Sequence, residues 1–194
     1  HSETTQSGQQ ALSSALGGQS GVERWAQLLQ LEAAMAASAQ PTPSGGVAWP
    51  SGPPSRIATW SRPELWLWGQ ALLDRPAEAQ ARQVSLSEIH QSLRSWLVMH
   101  PGDAPLWELL ARYEDSRGNR LGMLRATAEA HAAQGQVDSA LVTLQSARSQ
   151  ARKTAGMDGV ELAVIDARLA DLRRQRQQRD GREGREGRDG REGR

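Results

Sequence analysis

The sequence contains no cysteine, no phenylalanine and only one tyrosine. Without cysteine the chain can form neither a disulfide nor a thiolate zinc site, and it has no cysteine nucleophile. The seven tryptophans therefore supply nearly all the aromatic surface for a core. Missing cysteines suit a reducing and an oxidising compartment equally, so they do not locate the protein.

The sequence also lacks a strong net charge and a long apolar run. Its 23 Lys and Arg nearly balance its 22 Asp and Glu, for a net charge of +1. That balance argues against a positive electrostatic potential over the whole protein that would attract nucleic acid or an anionic membrane. No apolar run approaches the roughly 18 residues of a transmembrane helix, and no signal peptide is found at the start. The first residue is His1 rather than Met, which favours a processed product or a fragment.

Three segments lack the periodicity of a packed element. Residues 1–20 are rich in Gln, Ser, Thr and Gly, so we predict a flexible lead-in. Residues 41–60 lie in a stretch that holds most of the nine prolines, so we predict a linker, pinned to a helix by Trp49 or Trp60. Residues 179–194 have glycine at every third position but no proline, so we predict a disordered tail and not a collagen helix.

The remaining segments have helical periodicity. In residues 21–40 the apolar positions that approximate one face are Val22, Trp25, Leu28, Leu29 and Met35. Six more helices are predicted within 61–178, at 61–75, 85–99, 104–117, 120–134, 137–152 and 159–178. No segment from residue 61 onward alternates with period two, so the sequence predicts an all-α fold.

Local signals set the helix starts and the aromatic core. Ser61 and Glu64 form a capping-box signature with a proline in the first turn, and Ser85 and Glu88 form a second one. Asp103 is placed to cap the next helix. Because tryptophan supplies nearly all the aromatic surface for packing, we expect three nearby tryptophans to be core residues: Trp60, Trp66 and Trp68.

Single glycines between the helices favour a repeat of helical hairpins, and the tetratricopeptide pattern of about 34 residues fits in two registers. One takes Trp107 as the aromatic anchor and Gly118 as the turn glycine. The better one takes Gly135 as the turn glycine, with His131 where Tyr is usual. The two glycines are half a repeat apart, so helix 120–134 serves in both registers. The predicted packing residues are Trp107, Leu110, Ala111, Gly118, Leu124, Ala128, His131, Gly135, Ala140, Leu144 and Ala147.

The polar faces of the first helices of such hairpins would line a groove. In the Trp107 register these residues are Glu108, Arg112 and Asp115, and in the Gly135 register they are Arg125 and Glu129. Their mixed charges suit an extended polypeptide better than a polyanion. The sequence therefore predicts a polypeptide substrate or a protein partner and no nucleic acid.

No residue pattern predicts a catalytic, metal or cofactor site in this chain. The histidines, His1, His90, His100 and His131, are never four residues apart, so the paired histidines of an HExxH zinc site are missing. His131 lies on an apolar face and is interpreted as a core or half-buried residue. No P-loop, GxGxxG, GxSxG or EF-hand loop occurs. The arginines of a solvated helix end are Arg173, Arg174, Arg176 and Arg179.

Three motifs follow one another between residues 95 and 173: HPGDAPLW, RATAEAHAAQGQVDSAL and VIDARLADL. In this order they resemble the carboxy-terminal repeat region of BepA-like periplasmic zinc metallopeptidases, over roughly residues 61–178. Members of that family carry an amino-terminal HExxH domain and act in the assembly and quality control of outer-membrane proteins. The resemblance implies a stack of antiparallel helical hairpins, a tetratricopeptide-like solenoid, in the periplasm. Zinc would be bound only in an upstream catalytic domain.

Three functional hypotheses follow. The first is the substrate- or partner-binding module of such a metallopeptidase, which could also pack on its own catalytic domain. The second is a free-standing repeat adaptor with no protease attached. The third is a nucleic-acid or membrane-surface binder that acts through the arginine-rich helix end. The third predicts steep salt dependence of binding, and the nearly neutral tail argues against it.

Overall fold

The computed structural model describes residues 18–38, 50, 57–81, 84–153 and 159–192. Every regular element within these ranges is helical, which confirms the predicted all-α class. The helices are α1 (Gly18–Ser38), a 3-10 turn (Ile57–Thr59), α2 (Arg62–Asp74), α3 (Pro76–Ala81), α4 (Leu86–Met99), α5 (Ala104–Ser116), α6 (Arg120–Ala133), α7 (Val137–Lys153) and α8 (Gly159–Glu192). Most of the predicted lead-in, Trp49 with most of the linker, and the last two residues of the tail lie outside the described residues.

The chain divides into two compact units, residues 1–92 and 93–194. In the first unit, α1 packs on α2 and α2 packs on α3. The α2 residues Leu65, Trp68 and Leu72 are buried, and so is Trp60 ahead of the helix. Trp66 is half-buried. The aromatic core that the sequence predicts for this segment is therefore present, with Trp68 at its centre.

The predicted apolar face of α1 is only partly the face that packs, because Leu28 is buried and Met35 is half-buried but the other three residues are exposed. Val22, Trp25 and Leu29 are 68 %, 60 % and 65 % exposed, whereas the buried positions are Leu28, Leu31 and Ala34. The helix carries apolar residues almost all the way round, so periodicity alone cannot select the face that packs. The face of α1 that packs is determined by a contact between Arg24 and Glu64 of α2.

A buried carboxylate fastens α1 to the start of α2. Glu64 is only 1 % exposed. Its oxygens accept hydrogen bonds from Arg24 Nε at 2.6 Å and from Arg24 Nη2. Glu64 Oε2 also accepts from the Ser61 N–H and the Ser61 hydroxyl, both at 2.7 Å, and the bond from the N–H is the one that the glutamate of a capping box makes. Arg24 Nη2 further donates to the Thr59 carbonyl at 3.2 Å. This fork sets the rotation of α1 and turns Val22, Trp25 and Leu29 away from α2.

In the second unit, consecutive helices from α5 to α8 pack on one another. Arg148 Nε lies 2.7 Å from Asp166, and Arg176 lies 3.1 Å from Asp138, so the end of α7 meets the start of α8 and the start of α7 meets a later part of α8. These two helices therefore run antiparallel. The core that α6, α7 and α8 share consists of Ala128, Ala140, Leu141, Leu144, Ala147, Ile165, Leu169 and Leu172.

The same turn joins α5 to α6 and α6 to α7. Gly118 and Gly135 have φ of 70° and 77°, in the left-handed region that glycine adopts without a Cβ clash. After each helix, the glycine N–H bonds to a carbonyl three residues back. The next N–H bonds five residues back, to Glu114 at 2.9 Å and to His131 at 2.8 Å. This is the Schellman pattern of a glycine-terminated helix, used twice at the predicted half-repeat spacing.

The turn between α4 and α5 is held by two indole groups. Asp103 stands at the N-cap of α5, but its side chain makes no capping bond. Asp103 Oδ2 instead accepts from Trp96 Nε1 at 3.2 Å, and Trp107 Nε1 donates to the Pro101 carbonyl at 2.9 Å. Asp103 thus lies at the predicted N-cap position, but the prediction that its side chain caps α5 is wrong, because the carboxylate binds the indole N–H of Trp96 instead.

Two helix ends differ from the sequence prediction. α2 ends at Asp74, as expected before a proline. Pro76 then begins a further short helix, α3, because proline fits the first position of a helix. α8 continues to Glu192, beyond the boundary at residue 178. Each glycine there costs about 1 kcal/mol in helix propensity. Extending a helix that is already nucleated and packed needs far less free energy than starting one.

Candidate protein-interaction site

Three of the five groove residues lie on one face of α5. Glu108, Arg112 and Asp115 follow one another at spacings of four and three residues, so they share a side of the helix. All three are exposed. Glu108 Oε1 accepts a hydrogen bond from Gln134 Nε2 at 2.7 Å, which places the start of α5 beside the end of α6. This face of α5 therefore adjoins the carboxy-terminal end of α6.

The other two groove residues, Arg125 and Glu129, lie on α6 and are half-buried. Glu129 is engaged by α8: Arg168 Nε donates to Glu129 Oε1 at 2.8 Å and Arg168 Nη2 donates to Glu129 Oε2 at 2.6 Å. Such a two-point fork is the strongest geometry of an arginine with a carboxylate. Both Glu129 oxygens thus bind a residue 39 positions away. Glu129 therefore links α6 to α8, as well as being one of the predicted groove residues.

Arg168 contacts a predicted groove residue and was not singled out in the sequence. Its Nη1 also donates to Asp171 Oδ2 at 2.6 Å, so one guanidinium joins two carboxylates. Burial lowers the pKa of Arg168, but the hydrogen bonds and charges of Glu129 and Asp171 outweigh it and raise the pKa above its ordinary value. The residue lies within the VIDARLADL motif, which was the one available signal, and nothing local marks Glu129 as its partner.

The predicted packing residues differ in burial. Leu110 and Ala111 on α5, Ala128 on α6, and Ala140, Leu144 and Ala147 on α7 are buried. Leu124 is partly buried against the same core. Trp107 does not fill a gap in the core, because it is half-buried and hydrogen-bonded to the preceding turn. Close approach of α6 and α7 thus depends on alanines, as the hairpin pattern requires.

His131 is half-buried near the turn between α6 and α7. Its Nδ1 lies 3.0 Å from Gln136 Oε1, within hydrogen-bond distance across that turn. The imidazole therefore has a structural partner, in agreement with the packing interpretation made from the sequence.

Two buried polar groups on α5 were not singled out in the sequence. Glu114 is buried at the end of the helix, where its Oε2 accepts from Asn119 Nδ2 at 2.8 Å. The Tyr113 hydroxyl is also buried, and none of the residues that the structure describes forms a hydrogen bond with it. Burial raises the pKa of Tyr113 above its ordinary value, so the phenol stays neutral. Neither group carries a sequence signal, because burial of a single polar atom depends on which helices surround it.

The arginines near residue 175 are engaged with carboxylates of the same unit. Arg174 lies 3.4 Å from Asp171, and Arg176 lies 3.1 Å from Asp138 and 3.8 Å from Asp180. Carboxylates therefore offset their charge locally, which weakens the attraction for a polyanion. In the part of the chain that the structure describes, no group of three or more His, Asp or Glu residues could hold a metal ion. No helix in those ranges is long and apolar enough to cross a bilayer.

The chain matches no protein-family model and no curated protein. The function must therefore be argued from the geometry of the two units and from the motifs in the sequence.

Proposed function

We propose that residues 93–192 form a tetratricopeptide-like module that binds an extended polypeptide. The observation that carries the proposal is the repeated turn. The same Schellman turn occurs at Gly118 and at Gly135, half a repeat apart, and each time it joins two helices that pack closely. Stacked units of this kind present extended surfaces that suit a polypeptide ligand.

The binding surface is the charged face of α5 together with Arg125 of α6. Glu108, Arg112 and Asp115 are exposed along about two turns of α5, and they alternate in charge. A peptide backbone and mixed side chains offer both donors and acceptors to such a surface. Glu129 contributes less to a ligand than the sequence suggests, because both of its oxygens are bound by Arg168.

We further propose that the module is the carboxy-terminal part of a periplasmic zinc metallopeptidase that acts on outer-membrane proteins. What supports this is the resemblance of the three motifs, two of which have a structural role that can be named here. HPGDAPLW forms the indole-held turn before α5. VIDARLADL supplies Arg168 and the core residues Ile165, Leu169 and Leu172. A free-standing adaptor is the alternative, and the coding sequence upstream of His1 distinguishes the two, since only the metallopeptidase requires an HExxH there.

Peptide binding is tested with a labelled outer-membrane β-barrel polypeptide, unfolded in urea and diluted into a titration of residues 1–194. Fluorescence anisotropy measures its dissociation constant. Arg112→Glu reverses a charge in the proposed surface and should weaken binding by about tenfold. The matched control is Arg94→Glu, because Arg94 is an exposed arginine on α4, outside the proposed surface. Equal affinities of the two variants, or no binding by the unmodified chain, would refute the proposed surface.

A further inference from the structure

The outward face of α1 is an apolar stripe whose large side chains are mostly exposed. Val22, Trp25 and Leu29 are each at least 60 % exposed, at helical spacings of three and four residues. Three exposed alanines, Ala26, Ala33 and Ala36, lie on the same side of the helix. A helix that is apolar on both its inner and its outer face is usually buried on both. One face of α1 is buried by α2, so the other face fits a further partner.

We propose that this stripe pairs with the same stripe of a second copy of the chain, as an antiparallel helix pair centred on Leu29. In a two-fold interface, residue i of one copy meets residue j of the other and residue j meets residue i, and only a residue on the axis meets its own counterpart. With Leu29 facing Leu29, Trp25 faces Ala33 and Val22 faces Ala36. Trp25 and Val22 thus each meet an alanine, which lets the helices pack closely, and Leu29 on the axis meets its own counterpart. This self-complementarity of large and small residues selects a second copy over an unrelated partner.

Charge does not oppose the pairing. The stripe itself carries no ionisable residue, and Glu32 at its rim lies opposite Ala26 in this register. Arg24, on the inner side of the helix, is held by Glu64. No like charges are therefore brought together.

The stripe spans roughly 21 Å from Val22 to Ala36, at 1.5 Å per residue. Two copies would bury on the order of 1,000 Å² in total, which is at the lower limit for a specific interface. The dimer is accordingly weak and depends on protein concentration.

Sedimentation equilibrium over a range of concentrations tests the dimer. The chain should associate, and Leu29→Glu should abolish association because it places two like charges face to face. Val142→Glu is the matched control, since Val142 is 64 % exposed on α7 in the other unit; this variant should still associate. An equimolar mixture of Leu29→Glu and Leu29→Lys should associate again, because position 29 meets itself. A chain that is monomeric at every concentration, or a mixture that does not associate, would overturn the proposal.

Disulfide cross-linking tests the register, because the chain has no cysteine of its own. At a helix separation of 8–10 Å, facing Cα atoms approach to roughly 4–6 Å, which a disulfide can bridge. Oxidised glutathione should link Leu29→Cys into a covalent dimer and leave Val22→Cys monomeric. A mixture of Val22→Cys and Ala36→Cys should also cross-link. Efficient self-linking of Val22→Cys would indicate a parallel pair and contradict the register.

Alkylation of Leu29→Cys identifies the occupant if no dimer forms. Slow alkylation of a monomer would mean that the chain itself covers the stripe, and fast alkylation would mean that the stripe is free for a different protein. Either result would exclude the second copy as the occupant.

Discussion

Replacing Glu64 by Gln should loosen α1 from α2 far more than its local sequence suggests. The carboxylate is almost fully buried and accepts from Arg24 and from Ser61. Glutamine keeps the size of the side chain, but it removes the charge and replaces one acceptor oxygen by a donor NH₂ group. Arg24 then loses its ionic partner, while the Ser61 donors face an amide that can satisfy only part of them.

The size of the effect follows from the burial of the two partners. Breaking a fully buried ion pair costs about 3–5 kcal/mol. The Arg24 side chain is 39 % exposed and can be hydrated after the change, which reduces the cost. We therefore expect a loss of about 2–3 kcal/mol in the local free energy of unfolding.

Hydrogen-exchange mass spectrometry resolves the effect by helix, which is necessary because the two units need not unfold together. Amide protection in peptides from α1 should fall by roughly 30- to 150-fold. The control is Glu88→Gln at the start of α4. Glu88 has the same capping-box signature in sequence but is exposed, so its replacement should change protection by less than about 0.5 kcal/mol. Equal effects of Glu64→Gln and Glu88→Gln would refute the reasoning.

The remaining predictions concern pH, packing and the turns. Burial raises the pKa of Glu64, but its hydrogen bonds and the charge of Arg24 outweigh it and lower the pKa below the ordinary value. The amide protection of α1 should therefore be complete at a pH above the ordinary pKa of glutamate, and it should decrease as the pH falls through the lower pKa of Glu64 in the folded chain. Hydrogen exchange of Glu64→Gln should lack this pH dependence. In urea denaturation, Leu144→Ala should lower the free energy of unfolding by about 2–5 kcal/mol because it leaves a cavity. Ala140→Leu should lower it by about 1–3 kcal/mol because it overpacks the contact of α6 with α7. An Ala140→Leu variant of unchanged stability would contradict that contact. Tyr113→Phe should stabilise the chain by about 1 kcal/mol in the same assay, because it removes a buried hydroxyl to which no described residue forms a hydrogen bond; a loss of stability would indicate an unrecognised partner. Gly135→Ala should destabilise by about 1 kcal/mol through the positive φ, visible as a lower urea midpoint.

Helix positions could be predicted from the sequence because the signals that start and end a helix are local. Gly118, Gly135 and the residue before Pro76 end their helices where the sequence predicts. The packed face of α1 could not be predicted, since it depends on Glu64, 40 residues from Arg24. The link between Glu129 and Arg168 is equally remote in sequence. Pairing of charges on distant helices requires the tertiary arrangement, which one sequence does not contain.

The two capping-box signatures show the same limit at a single side chain. Each one marks a helix start correctly, at Ser61 and at Ser85. Only Glu64 closes the box and binds an arginine, whereas Glu88 is exposed and the Ser85 hydroxyl lies 2.6 Å from the Ser87 hydroxyl. A local motif therefore determines where the helix begins, and the neighbouring helix determines what the glutamate does.

Under the proposed function, burial distinguishes the two repeat registers. In the Gly135 register the second helix is α7, and its packing positions Ala140, Leu144 and Ala147 are fully buried. In the Trp107 register the second helix is α6, where the corresponding positions Met123 and Thr127 are only half-buried and Ala130 alone is buried. The Gly135 register thus accounts better for the core.

In the Gly135 register, α6 is the first helix of a hairpin and α7 is the second. The first helix of the next hairpin is then α8, which lies beside α6 because Arg168 of α8 binds Glu129 of α6. Within the proposed surface, the part on α6 would then extend towards α8, and Arg125 would contribute more binding free energy than the α5 residues. Arg125→Glu should therefore weaken polypeptide binding more than Arg112→Glu in the anisotropy titration, and the reverse order would favour the Trp107 register.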